Sequence, residues 1–228
     1  MDANRRLVLK GMALGSVASL AMGRSTRVLA DAAALAADIN VRPLLALVNG
    51  DAAGSVFLRG AIAAGGSRLR SQIMSSDLQV MLDLERELRR SDAMRIIGLL
   101  DDASGTRVVD LARSAGARVR GRGEHAAYAG DTRHHLLNAD IAEDCAQRLG
   151  RQLHARGAGF EIAAQRLGEA VSQRELSARP RTGEQLAEWA SAIGYQLASL
   201  DTPPMAEAPM PSGHFVADGH FVSFSIER

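Results

Sequence analysis

At 228 residues, 46% of them hydrophobic and 23% charged, the chain carries enough apolar material for one α/β domain with a real core, or for two small lobes. Its formal net charge of +1 gives no basic excess of the kind a nucleic-acid surface needs. A single cysteine, Cys145, excludes an intramolecular disulfide, a thiolate zinc cluster, iron–sulfur ligation and a CxxCH haem site.

The N-terminus reads as a targeting segment before it reads as structure. Asn4-Arg5-Arg6-Leu7-Val8-Leu9-Lys10 pairs two arginines with apolar residues and the chain's only lysine. A weakly apolar stretch, Gly11 to Gly23, follows; it is too short and glycine-rich for a membrane span. Arg24 and Arg27 come next, and Val28-Leu29-Ala30 offers a small-residue cleavage site. This pattern resembles a bacterial twin-arginine (Tat) export signal, with Asn4 and Val8 standing where that pattern favours Ser or Thr and Phe. The resemblance implies residues 1–30 as a signal peptide with Arg5, Arg6, Lys10 and Ala30 as its marks, the Tat export machinery as a partner, and a periplasmic location for the rest. Removing that segment takes five basic residues and one acidic residue away, leaving 22 basic against 25 acidic groups, a net of −3. Many proteins exported this way fold around a redox cofactor, but no motif here indicates one.

Residues 31–39 form an alanine-rich lead-in, and 40–228 are expected as one α/β domain. Pro43 opens a strand at Leu44–Val48, an apolar run suited to burial on both faces of a parallel sheet. Asn49-Gly50-Asp51-Ala52-Ala53-Gly54-Ser55 then turns into a helix that carries Val56, Phe57, Ala61 and Ile62 inward and ends at Gly65. Asp77 starts a second helix with Leu78, Met81, Leu82, Glu85 and Leu88 along one stripe. Arg95–Leu100 is the next strand. Asp101-Asp102-Ala103-Ser104-Gly105-Thr106 repeats the first turn, and Val108, Val109, Leu111 and Ala112 carry a helix before a strand at Ala117–Arg120. The order βααβαβ predicts a largely parallel, three-layer, Rossmann-like sheet flanked by helices.

Beyond Arg120 the chain becomes glycine-punctuated and polar, and reads as a loop or as a hairpin turning near Gly130-Asp131. Leu136-Leu137 leads into a helix from about Asp140, with Ile141, Cys145, Leu149 and Leu153 four apart. A strand follows at Phe160–Ala163. A long helix over 183–200 carries Leu186, Trp189, Ile193, Leu197 and Leu200 on one face. Residues 201–213 hold four of the six prolines and read as a linker. Residues 214–228 read as an antiparallel hairpin about Asp218-Gly219, whose Val222, Phe224 and Ile226 alternate with Ser223 and Ser225 as in a half-buried strand.

Two groups of residues are candidates for function. The paired turns sit where strand ends meet helix N-termini, the edge at which open α/β sheets bind ligands. Asp51, Gly54, Ser55, Asp101, Asp102, Gly105 and Thr106 would line such a site: the glycines for close backbone approach, Ser55 and Thr106 for their hydroxyls. The aspartates oppose a phosphate and favour a polar or cationic ligand or a sugar; they equally suit plain helix caps. The second group is His125, His134 and His135 with Glu124 and Asp131, imidazoles and carboxylates able to bind Zn²⁺ or Cu²⁺ or to exchange protons. Adjacent His134 and His135 would point to opposite faces if that segment is extended, which opposes a shared metal. Cys145, on an apolar stripe, reads as a buried small hydrophobe.

With no GxSxG, Walker or GxGxxG motif, the sequence favours a non-enzymatic exported protein that binds a small molecule or serves as an accessory. The alternatives are a periplasmic enzyme, a hydrolase or cofactor-dependent redox protein using Asp51, Asp102 and the His125–His135 segment, and an accessory subunit of an exported metalloenzyme.

Overall fold

The computed structural model describes residues 42–75, 77–90, 92–128, 131–138, 142–166, 173–179, 188–200 and 217–228. The expected signal peptide, the lead-in and the proline-rich 201–213 segment lie outside them. Residues 42–228 form one compact unit. In chain order it contains β1 (Leu44–Val48), α1 (Ala52–Gly65), β2 (Leu69–Ile73), α2 (Leu78–Arg89), β3 (Arg95–Asp101), α3 (Asp102–Ser114) and β4 (Arg118–Tyr128). These are followed by β5 (Asp131–Asn138), α4 (Ala142–Arg156), β6 (Phe160–Arg166), β7 (Gln173–Ala178), α5 (Glu188–Ala198) and β8 (Gly219–Glu227).

The eight strands form one sheet in the order β2-β1-β3-β8-β4-β5-β6-β7. The fold is α/β as expected, but the sheet is mixed and not largely parallel. β1 pairs in parallel with β2 and β3, and β5 with β6; the other four pairings are antiparallel. Two causes account for this. The expected strand at Ala117–Arg120 runs on without a break to Tyr128, and β4 and β5 pair antiparallel, the hairpin alternative of the sequence and not the loop. The C-terminal strand, moreover, lies inside the sheet: β8 sits between β3 and β4 and pairs antiparallel with both. The first arm of the expected terminal hairpin, 214–216, lies outside the described residues.

Two strands escaped the sequence reading for one reason. β2 (LRSQI) sits at an edge with its side chains half-buried or exposed, so no apolar run marks it. β7 (QRELSA) is the opposite edge and equally polar.

Helices cover the two faces unequally. On the first face α1, α4 and α5 bury Leu44, Ile97, Phe160, Ile162 and Phe221. On the second, α2 and α3 cover β1, β3 and β8, burying Leu47, Ile96, Leu100, Val222, Phe224 and Ile226. That second core takes no residue from β5, β6 or β7. There the strands alternate buried and exposed positions: Arg122, Glu124, Ala126 and Tyr128 of β4 reach outward while Gly121, Gly123, His125 and Ala127 are buried. The second face is thus half bare among the described residues.

Candidate functional site

The two echoing turns do meet. β1 and β3 are adjacent and parallel, and Asn49 Nδ2 donates to Asp101 Oδ2 at 2.9 Å across the gap between their carboxyl ends. Asp51 Oδ1 accepts from Gly54 N at 2.7 Å, and Asp101 Oδ1 accepts from Ser104 N at 2.9 Å, so both aspartates cap their helices. Burial pushes the Asp101 carboxyl up, but the Ser104 and Asn49 hydrogen bonds outweigh it and hold it below its ordinary range.

The glycines of these turns do not open toward a ligand. A Cβ on Gly54 would collide with the Asn49 carbonyl, and one on Gly105 would lie 2.6 Å from Val222 Cβ. Both are packing glycines that let a helix sit against a strand. Ser55 Oγ is turned back to the Asp51 carbonyl at 3.0 Å, and Thr106 is half-buried. Because α1 lies on the first face and α3 on the second, the helix N-termini diverge. Of the seven turn residues, Asp102 borders the cleft formed on the second face.

That cleft, about 450 Å³, lies on the bare half of the second face, between the start of α3 and strands β4, β5 and β6. Asp102, Glu124, Arg133, His135, Glu161 and His220 line it. The β4–β5 register sets Glu124 opposite His135, with Oε2 and Nδ1 3.9 Å apart. Glu124 also takes an ion pair from Arg122 at 3.1 Å, and Arg133 pairs with Glu161 at 3.2 Å. Tyr128 and His220 hydrogen-bond beside them through the phenol oxygen and Nε2. The cleft therefore presents carboxylates, guanidinium groups and imidazoles together, most of them solvated.

The other two histidines of the segment point the opposite way, as the extended geometry of β5 demands. His125 and His134 face each other across β4 and β5, each 2% exposed, with Nδ1 atoms 2.9 Å apart. His125 Nε2 lies 2.8 Å from Ser223 Oγ. Trp189 of α5 covers both rings at 5.1 and 5.4 Å between centroids. Burial, and for His125 also its neighbour His134, depresses both imidazoles: His125 well below its usual value and His134 to about 3. Both are neutral at pH 7. All three histidines border the cleft, but the His135 side chain is on the other side of the sheet from the pair, so the three do not converge on one ion, and no group of three metal-binding side chains occurs among the described residues.

Ser223 and Ser225 correct the expectation for β8. They were to be the solvated side of a half-buried strand, yet they are 3% and 0% exposed and face the α1–α5 layer. Gly123 makes room for the contact: a Cβ there would stand 2.6 Å from Ser223 Oγ and 2.7 Å from His125 Nε2. The alternation Gly121, Gly123, His125, Ala127 was the available sequence signal, since small residues on one side of a strand mark a close-packed face. His220, Arg133 and Glu161 carried no such signal, because only the pairing register brings them together. Cys145 is buried on α4, as its stripe predicted.

Comparison of the chain with protein-family models, curated proteins and solved structures returns no match in any of the three. Function must therefore be argued from these geometries.

Proposed function

We propose that this chain is an exported, periplasmic protein that binds a small polar molecule or acts as an accessory, and that its ligand occupies the cleft on the bare half of the second face. The observation that carries this reading is the uneven coverage of the sheet. Strands β4 to β6 turn Glu124, Arg133, His135 and Glu161 toward solvent in one concave area flanked by Asp102. A covered core would not collect such groups, because burying unpaired charge is costly. Carboxylates beside guanidinium groups suit a ligand with an amine, hydroxyl groups or both, such as an amino acid, a diamine or a sugar. The order β2-β1-β3, which places the first two turns at a switch point, supports a Rossmann-like ancestry for that half of the sheet. Its capped and internally packed turns favour the cleft over the turns as the place of binding.

A thermal-shift screen of amino acids, diamines and sugars tests the reading. A ligand at 100 times its Kd adds about 2.7 kcal/mol of stability, and the shift should vanish in Glu124→Gln or Arg133→Ala. A screen without any hit, or hits that survive both substitutions, would remove the cleft as the site. Export is tested separately: Arg5→Lys with Arg6→Lys should retain the protein in the cytoplasm, and unchanged export would remove the Tat assignment.

A periplasmic hydrolase is the second reading, favoured by His135 and His220 standing with Asp102 and Glu124 in one cleft, where they could exchange protons with a substrate. Turnover of a chromogenic ester, lost in His135→Asn and His220→Asn, would decide for it.

A further inference from the structure

The side chains of the buried chain Ser223–His125–His134 lie on the face of the sheet opposite Glu124, Arg133 and His135, although residues His125 and His134 also border the cleft. Its hydrogens can be assigned from the network. If the Ser223 hydroxyl donates to His125 Nε2, His125 Nδ1–H donates to His134 Nδ1 and His134 keeps its proton on Nε2. Only the His134 Nε2–H then lacks a partner; the reverse tautomers would leave the serine hydrogen without one as well. In this state every nitrogen facing a neighbour is already used. One added proton is relayed along the chain: His134 Nδ1–H donates to His125 Nδ1, His125 Nε2–H donates to Ser223 Oγ, and the serine hydrogen is left without a partner; a second proton puts hydrogens on both Nδ1 atoms, 2.9 Å apart. That second arrival turns the central hydrogen bond into a donor–donor clash inside a pocket closed by Trp189 and Phe221.

Among the described residues no charge other than that of the two rings themselves acts on the pair. On α5 the titratable groups are Glu188 and Tyr195; on α4, Glu143, Asp144, Cys145, Arg148, Arg151, His154 and Arg156; on α1, Arg59. Arg59, Arg151 and His154 are exposed; on β3 and β6 this side carries Ile97, Leu99, Phe160 and Ile162, with Arg95 at the far end of β3 paired to Glu227. The one charge that acts on His125 is His134 itself, and burial alone acts on His134.

We propose that the His125–His134 pair is an acid-sensitive latch: proton uptake breaks the Ser223–His125–His134 chain and releases α5 from the sheet. The rings can become charged only by reaching water, and the element that bars them from it is the Trp189 turn of α5. The mature α/β unit is thus closed near neutral pH and opens on this face in acid.

Trp189 is the only tryptophan, so its fluorescence reads the latch directly. The full chain is titrated from pH 8 to pH 3, with emission following α5 and far-UV circular dichroism following the rest. The expected result is a red shift of the emission, linked to uptake of about two protons, with a midpoint below ~6.5 and ahead of the loss of secondary structure. In Ser223→Ala, which removes a bond made only while the pair is closed against the sheet, the midpoint moves to higher pH. In His135→Asn, on the opposite face, it stays where it was. In His125→Gln with His134→Leu the acid transition disappears. The proposal is overturned if Trp189 emission stays constant until the whole chain unfolds, if Ser223→Ala leaves the midpoint in place, or if His135→Asn moves it as far.

Discussion

His125 and His134 set the pH behaviour of the folded chain. Both are depressed in the folded state and return to an ordinary value near 6.5 when it unfolds. The unfolded chain therefore takes up protons first. Stability is complete above about pH 6.5 and falls as the pH drops below it, at up to ~1.4 kcal/mol per pH unit per histidine. By pH 5 the loss reaches about 2 kcal/mol for each ring, or ~4 kcal/mol for the pair. Urea midpoints at pH 7.5 and pH 5 check this, and a flat profile would contradict it. Gly123 belongs to the same unit. Gly123→Ala drives a methyl into the Ser223–His125 contact and should destabilise the fold by about 1–3 kcal/mol in urea unfolding. At this scale the sequence was partly legible. The capping role of Asp51 and Asp101 and the burial of Cys145 followed from local chemistry, because a cap and a stripe are decided within four residues. The histidine pair was not legible, because its partners lie 9 and 98 residues apart and only the register of β4, β5 and β8 joins them.

Among the elements, α1 and α5 make the tightest junction. They meet backbone to backbone, Gly60 of α1 against the Ser191 carbonyl and Gly194 of α5 against the Phe57 carbonyl. A Cβ at either position would overlap a carbonyl oxygen, so neither helix can keep its place. Gly60→Ala and Gly194→Ala should each destabilise by ~3 kcal/mol or more, the upper end for overpacking. Gly150 of α4 supplies the contrast. A Cβ there would stand 3.4 Å from Leu176 Cδ1, an ordinary contact, so Gly150→Ala should raise stability by about 0.5–1 kcal/mol through helix propensity. Thermal unfolding of the three variants separates the cases. Periodicity, together with the apolar runs, identified the strong elements, β1, β3, α1 and α3, though Ile62, expected to turn inward on α1, is 53% exposed while Val56, Phe57 and Ala61 are buried. It misplaced the stripe of α2, where Leu84 and Leu88 are buried and Leu78 and Leu82 are 71% and 41% exposed. It also took α5 for an amphipathic helix, whereas every residue from Trp189 to Ala198 is buried. A helix enclosed on all sides has no stripe to read; its small residues Ala190, Gly194 and Ala198, four apart, were the better signal.

For the molecule as a whole, the last strand is the joint. β3 and β4 touch the same neighbour but not each other, so the β2-β1-β3 part and the β4-β5-β6-β7 part are one sheet only through β8. A chain ending at Ala217 should lose cooperative unfolding in urea; a sharp transition of unchanged slope would contradict this. The class α/β was legible because strands and helices alternate along most of the sequence. The mixed sheet was not, since no local feature tells a C-terminal strand to insert between two others. The same insertion leaves β4 to β6 beyond the reach of α2 and α3, so that among the described residues no helix covers the charged half-face on which the proposed function rests. The most direct test of that function is a map of backbone amide resonances as a hit from the ligand screen is titrated in. The account predicts shifts concentrated at Glu124, Arg133, His135 and Glu161, lost in Glu124→Gln. Shifts confined to residues 49–55 and 101–106, or spread along α1 and α5, would contradict it.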